Sequence, residues 1–276
     1  MAMVVTDLDG TLLDAQACLG AANRRALQRL GETGSLRVVA TGRSLHSAES
    51  VLDADFPIDY LVFSSGAGIL DWHSRELLTS HGMRAEDAAD ALRALLDRQL
   101  DFMVHHGIPD NHYFYFHQPS AAAHGANPDF QRRCARYREF AEPLPPAGLG
   151  AMQVSQFLAI EAPHRDSCYD SLVTELDKLN VILTTSPLDH RSRWIEIFPP
   201  AASKSQASEW LRHRHGVARA EVVAVGNDYN DRDLLEWAEH AYVVANAAPP
   251  LKARYRVVAS NDAQGFAEAV ATHGLV

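Results

Sequence analysis

Short apolar, β-rich runs that each end in a polar, glycine-containing segment set the tightest limit on how this 276-residue chain folds. Met3 to Val5 runs into Asp7-Leu8-Asp9-Gly10-Thr11, and Leu36 to Ala40 is closed by Thr41-Gly42-Arg43. Tyr60 to Phe63 meets Ser64-Ser65-Gly66-Ala67-Gly68, and Glu221 to Val225 meets Gly226-Asn227-Asp228-Tyr229-Asn230-Asp231. Between the first two runs, Leu19, Ala22, Ala26, Leu27 and Leu30 recur at helical spacing, and Gly31 and Gly34 end that period. Strands alternating with helices build a mostly parallel sheet with helices on both faces. Polar turns directly after such strands put functional side chains at the carboxyl end of the sheet.

The pattern changes after residue 82. A helix is expected over Glu86 to Leu96, then strands over Phe102 to Val104 and Tyr113 to Phe116 about a Pro109-Asp110-Asn111 turn. A short helix around Phe130 to Phe140 follows, then a strand over Val154 to Glu161, a helix over Tyr169 to Leu179 and a strand over Asn180 to Thr185. The first pattern resumes with a strand over Trp194 to Phe198, then a helix over Ser203 to Arg214. The expected fold class is therefore α/β, with a Rossmann-like core formed by residues 1–82 and 187–276 and interrupted by an inserted α+β domain, 83–186.

Asp7 and Asp9 are the sharpest chemical signal. Just past a strand end, where the chain turns at Gly10, two acids two residues apart converge on one site. A buried like-charged pair needs a cation or a shared proton. Mg²⁺, which favours carboxylate oxygens and phosphate, is the natural cation. One carboxylate can then serve as nucleophile and the other as acid and base. Asn227, Asp228, Asn230 and Asp231 form a second oxygen cluster after another strand, either an Asx-rich turn or, paired with Asp7 and Asp9, the rest of a magnesium shell. Thr41 and Gly42 offer a hydroxyl and backbone N–H groups to phosphoryl oxygens. Arg43 either clamps phosphate or pairs with an acid. Lys204, at the first turn of a helix, is opposed by the helix dipole, so it is either a solvated residue that merely begins the helix or is held there by a bound phosphoryl group or by Asp7 itself.

Taken together these segments resemble the haloacid-dehalogenase-like phosphatases, and Thr41-Gly42-Arg43 is the form common in their Cof-like branch. The resemblance implies that Asp7 is the nucleophile and Asp9 the acid and base. It implies that Thr41 and Lys204 hold phosphate, with Gly10, Gly42 and Arg43 beside them. It also implies Mg²⁺ bound by Asp7, Asp9 and the loop carrying Asn227, Asp228 and Asp231, with Asp231 meeting metal-bound water or orienting Lys204. The inserted domain matches the position of a C2 cap, similar to C2B caps, over the catalytic site. Ser260-Asn261-Asp262 looks like the family's closing segment. One departure is Asn227, which stands where the family's fourth motif carries a metal-binding Asp. Either Asn227 or the neighbouring Asp228 supplies the inner ligand.

The expected activity is a Mg²⁺-dependent phosphomonoester hydrolase acting through an aspartyl-phosphate on a sugar phosphate or similar small metabolite. The alternatives are a phosphomutase, or a non-catalytic ligand binder on the same scaffold. In the insert, Arg191 and Arg193, with His190, either bind the leaving group or form a solvated hinge. His105, His106, His112, His117 and His124 lack zinc-ligand spacing and read as rim and turn residues. A net charge of -10 and the lack of a basic stripe argue against nucleic acid. No run is long enough to span a membrane. Three scattered cysteines and an N-terminus without a basic export segment point to the cytoplasm, as a monomer or homodimer.

Overall fold

The computed structural model describes residues 1–119, 127–186, 188–189 and 191–275. His124 and His190 lie outside the described residues. The chain divides into two units, Met1–Ser80 with Ala202–Val276, and His81–Ala201.

In the first unit β1 (Met3–Thr6) is central. It pairs in parallel with β2 (Leu36–Ala40) on one side and with β12 (Val222–Gly226) on the other. β3 (Tyr60–Phe63) continues beyond β2, while β13 (His240–Val244) and β14 (Arg256–Val258) continue beyond β12, all parallel. Two antiparallel strands, β4 (Gly68–Asp71) and β5 (Leu77–Ser80), finish the sheet. Their pattern is too short to stand out in the sequence. All four β1 residues are buried, as expected where both faces of a parallel sheet are covered. On one face Met3, Val5, Val38 and Ala224 pack with Ala207 and Leu211 of the helix Lys204–Arg214 and with Leu234 and Leu235 of the helix Arg232–Trp237. The helices Ala21–Glu32 and Gly265–Thr272 pack together and contact β2, β13 and β14. The chain leaves β1 toward β2 and returns to the far side at β12. The crevice past the end of β1 is thus the topological switch point, where such sheets bind ligands.

The second unit holds a six-stranded sheet in the order β10-β11-β9-β6-β7-β8, from β6 (Asp101–His106), β7 (Phe114–His117), β8 (Ala141–Pro143), β9 (Val154–Glu161), β10 (Asn180–Thr185) and β11 (Arg193–Phe198). Here the boundary drawn at residue 187 is corrected. β11 pairs antiparallel with both β10 and β9, so the strand Trp194–Phe198 joins this sheet and not the core sheet. A strand's own alternation says that it will pair, not with which sheet. The helices Ala85–Asp97 and Tyr169–Glu175 cover one face through Ala88, Ala91, Leu95 and Leu172. The helix Pro128–Arg136 covers the other, seating Phe130 on Met103, Phe114, Leu158 and Trp194. Its buried Asp129 accepts hydrogen bonds from Ser186 Oγ (3.0 Å) and Trp194 Nε1 (2.7 Å), which offsets the burial of the carboxylate. Among the described residues no helix is long and apolar enough to cross a membrane.

Gly66 ties the loop after β3 to the start of the helix Lys204–Arg214. Its φ is +99°, and a Cβ there would overlap the Ser203 backbone. Gly66→Ala therefore has to distort the helix start that presents Lys204. We expect a loss of about 2 kcal/mol or more, measured by urea unfolding, and larger than that for Gly34→Ala, where the φ of +73° is strained but an added Cβ meets no neighbouring atom.

Candidate active site

Asp7 leaves β1 still bound to the sheet, its N–H donating to Val225 O at 2.9 Å. The chain then turns at Gly10, whose φ of 71° few other residues adopt. Backbone groups in such a buried turn need partners, and three asparagines supply them. Asn246 Nδ2 donates to Gly10 O (2.8 Å), Asn23 Nδ2 to Leu12 O (2.9 Å) and Asn261 Nδ2 to Leu13 O (3.0 Å). Asn261 N–H donates in turn to Asn246 Oδ1 at 3.0 Å. Asn246 and Asn23 were not anticipated. The only local signal was an Asn on the inner face of an amphipathic helix and another just past a strand.

Lys204 is 1% exposed, and its ammonium lies between two carboxylates, 2.7 Å from Asp7 Oδ1 and 2.6 Å from Asp231 Oδ1. The side chain that the helix dipole disfavours is thus held by two anions. Burial pushes the ammonium down, but Asp231 and Asp7 hold it above its ordinary value. For Asp7, burial and then the Asp231 charge push the carboxyl up to about 7, against the pull of Lys204. One ammonium cannot neutralise two ionised carboxylates, so the triad carries surplus negative charge as pH rises through about 7 and Asp7 ionises.

The loop after β12 divides its labour in a way the sequence did not reveal. Asp231, expected either in the metal shell through bound water or as the group that orients Lys204, has both oxygens engaged. Oδ1 takes Lys204, and Oδ2 accepts the N–H groups of Asn227 (2.8 Å) and Asp228 (3.1 Å). Asp228 caps the following turn, accepting from Tyr229 N–H at 2.8 Å. Asn227 instead faces the first loop, where its Oδ1 accepts from Thr11 Oγ1 at 3.0 Å and its amide lies against Gly10. Gly42 lies beside Ser65 and Asn230, so the second and fourth loops meet there. Thr41 is 1% exposed, and its Oγ1 accepts from Arg43 N–H at 3.1 Å. Arg43 pairs with an acid: its guanidinium grips both oxygens of Asp9, each at 2.7 Å.

Arg191 and Arg193 belong to the second unit. Arg191 is exposed, its N–H donating to Asp189 Oδ1 at 2.9 Å. Arg193 begins β11 opposite Glu161 and donates to that buried carboxylate at 3.1 Å and to Arg165 O, so its guanidinium braces the sheet. His105 is buried, with Nδ1 donating to Asn111 O at 2.8 Å. Burial and Arg133 push it down to about 3, which keeps the ring neutral.

Among the described residues no three His, Cys, Asp or Glu side chains form a metal cluster. The oxygens near the end of β1 are of mixed kind: the Asp7 carboxylate and the Asn227 side chain, with Asp228 on the same loop. A hard cation fits this set and the excess negative charge around Asp7.

A family model described as haloacid dehalogenase-like hydrolase matches residues 4–270. The 5-amino-6-(5-phospho-D-ribitylamino)uracil phosphatase of Bacillus subtilis is 29% identical, over 97% of this chain and 96% of its own. The HMP-PP phosphatase of Yersinia enterocolitica is 25% identical, over 95% of this chain and 91% of its own. A phosphatase structure of the same superfamily from Bacteroides thetaiotaomicron superposes with a TM-score of 0.79 at 16% identity, covering 100% of this chain and 96% of that one.

The raised Asp7 has a consequence for stability. A carboxyl whose folded pKa lies above its unfolded value of 3.8 contributes stability that is complete below about pH 4 and lost as pH rises through about 7. Asp7→Asn removes that loss. In chelator, the variant should melt above the wild type at pH 8, and the gap should close toward pH 4. The swing is on the order of a few kcal/mol, read by thermal unfolding across that range.

Proposed function

Because the chain belongs to the haloacid dehalogenase-like hydrolases, we propose that it is a magnesium-dependent phosphomonoester hydrolase using Asp7 as its nucleophile. The observation that carries this reading is the buried Asp7-Lys204-Asp231 triad at the switch point of the sheet. It fixes one oxygen of Asp7 and leaves the carboxylate as the attacking group. The reading is also supported by relatives that are phosphatases of small phosphorylated compounds, so the substrate class is a sugar phosphate or similar metabolite.

In the first step an Asp7 oxygen attacks phosphorus in line, and the bond to the leaving oxygen breaks as the acyl phosphate forms. Asp9 gives that oxygen a proton. In the second step water attacks phosphorus, the bond to Asp7 breaks, and Asp9 takes the proton from the water. Thr41 Oγ1 accepts from Arg43 N–H, which leaves its own O–H to donate to a phosphoryl oxygen. Lys204 holds Asp7 in place and presents positive charge to the phosphoryl group. Asp231 orients Lys204 and braces the backbone of the 227–228 turn. Asp7, the Asp9 carbonyl and Asn227 or Asp228 would hold magnesium, which when bound neutralises phosphate charge so that a carboxylate can approach.

The test is phosphate release from a panel of sugar phosphates, nucleotides and phosphorylated polyols. We expect turnover with Mg²⁺, and a fall of about 10³-fold or more with chelator or with Asp7→Asn. Equal turnover by wild type and Asp7→Asn would sink the assignment. Recovery of an isomeric sugar phosphate in place of free phosphate would establish a mutase.

A further inference from the structure

Arg43 is placed unlike a phosphate clamp. Its Nε and Nη2 reach the two oxygens of Asp9, each at 2.7 Å, and its Nη1 donates to Ser47 O at 3.1 Å and Ser47 Oγ at 3.3 Å. All three guanidinium nitrogens are therefore engaged. The Arg43 backbone is held as well: its N–H meets Thr41 Oγ1, and its carbonyl accepts from Ser64 N–H at 2.7 Å. Ser47 lies in the helix Leu45–Glu49, which Ser44 caps through Ser47 N–H. The guanidinium is thus anchored on the second loop before it touches the first.

Asp9 is in the opposite situation. It sits on the turn past β1 without a strand partner, beside Gly10, and its side chain is 47% exposed where that of Arg43 is 21% exposed. An exposed carboxylate on such a turn has rotamers to choose from. A parallel two-point contact with a fixed planar guanidinium sets both its position and its plane. The pair occupies two of the carboxylate's roughly four lone-pair sites, so the solvent side stays open to a proton in transit.

We infer that Arg43 is a positioning residue for the acid and base, aiming Asp9 at the leaving oxygen and later at the attacking water without itself binding the phosphoryl group. The inference rests on the hydrolase reading above. As the bond from Asp7 to phosphorus forms and the bond to the leaving oxygen breaks, the proton passes from Asp9 to that oxygen. As water displaces Asp7, a water proton returns to Asp9. Arg43 exchanges no proton in either step.

This role separates from phosphate binding in a double-mutant cycle. Steady-state kcat and KM are measured for wild type, Arg43→Ala, Asp9→Asn and the double variant. The substrates are the sugar phosphate turned over fastest and p-nitrophenyl phosphate, whose leaving group needs little protonation. With the sugar phosphate, Arg43→Ala should lower kcat about tenfold to a hundredfold while KM moves by less than about twofold. The loss should be several-fold smaller with p-nitrophenyl phosphate. In the Asp9→Asn background, Arg43→Ala should add no more than about twofold. Arg43→Lys keeps the charge but not the two-point grip and should fall between wild type and Arg43→Ala. It also carries the comparison if the alanine variant does not fold. A raised KM with unchanged kcat, or the same loss in both backgrounds, overturns the inference. Equal turnover by wild type and Asp7→Asn strikes at the hydrolase reading itself and is seen before Arg43 is touched.

Discussion

The ammonium of Lys204 rests between the carboxylates of Asp7 and Asp231, and each of the three groups comes from a different stretch of chain. Asp7 ends β1, Lys204 starts the helix after the return from the second unit, and Asp231 follows β12. Ionised groups this deeply buried are costly unless each finds an opposite charge. The first and last parts of the chain must therefore meet in one arrangement at the end of the central strand. The remaining oxygen of Asp231 holds the Asn227 and Asp228 N–H groups, so the ion triad also shapes the fourth loop. On the proposed reading, chemistry and folding share these atoms. A site with two carboxylates and one ammonium keeps surplus negative charge, which a hard cation relieves.

Around that triad the backbone carbonyls of the first loop are held by amides, while Arg43 grips the Asp9 side chain. Asn246, Asn23 and Asn261 each donate a side-chain N–H to one carbonyl of the segment that leaves the sheet. Neutral donors satisfy buried carbonyls without adding to the field at Asp7. Asn227 fits the same economy, since its amide oxygen takes the Thr11 hydroxyl and brings an oxygen donor to the loop without another negative charge.

The second unit uses its polar residues differently. Asp129 and Glu161 are buried and matched, one by Trp194 and Ser186, the other by Arg193, Ser167 and the Cys168 N–H. His105 is kept neutral by burial beside Arg133. Residues that by type looked ready for ligands are spent on holding a sheet that is covered on both faces. Side-chain chemistry alone does not distinguish the two uses, because an arginine facing an anion and an arginine facing a buried glutamate share the same local sequence.

The parallel core, Asp7 and Asp9 past its first strand, and a carboxylate partner for Lys204 were legible in the sequence. Apolar runs closed by Gly-rich polar turns force loops to one edge of a sheet, and a lysine against a helix dipole announces an anion. The short strands β4 and β5 were not legible, and neither was the sheet that β11 joins, since period-2 alternation carries no address. Nor does sequence spacing reveal which oxygens in an acidic loop are free. Only the tertiary structure showed Asp231 committed to Lys204 and to backbone N–H groups, and Arg43 committed to Asp9. Those partners lie 27 and 34 positions away along the chain, and they become neighbours only when parallel strands bring their carboxyl ends together.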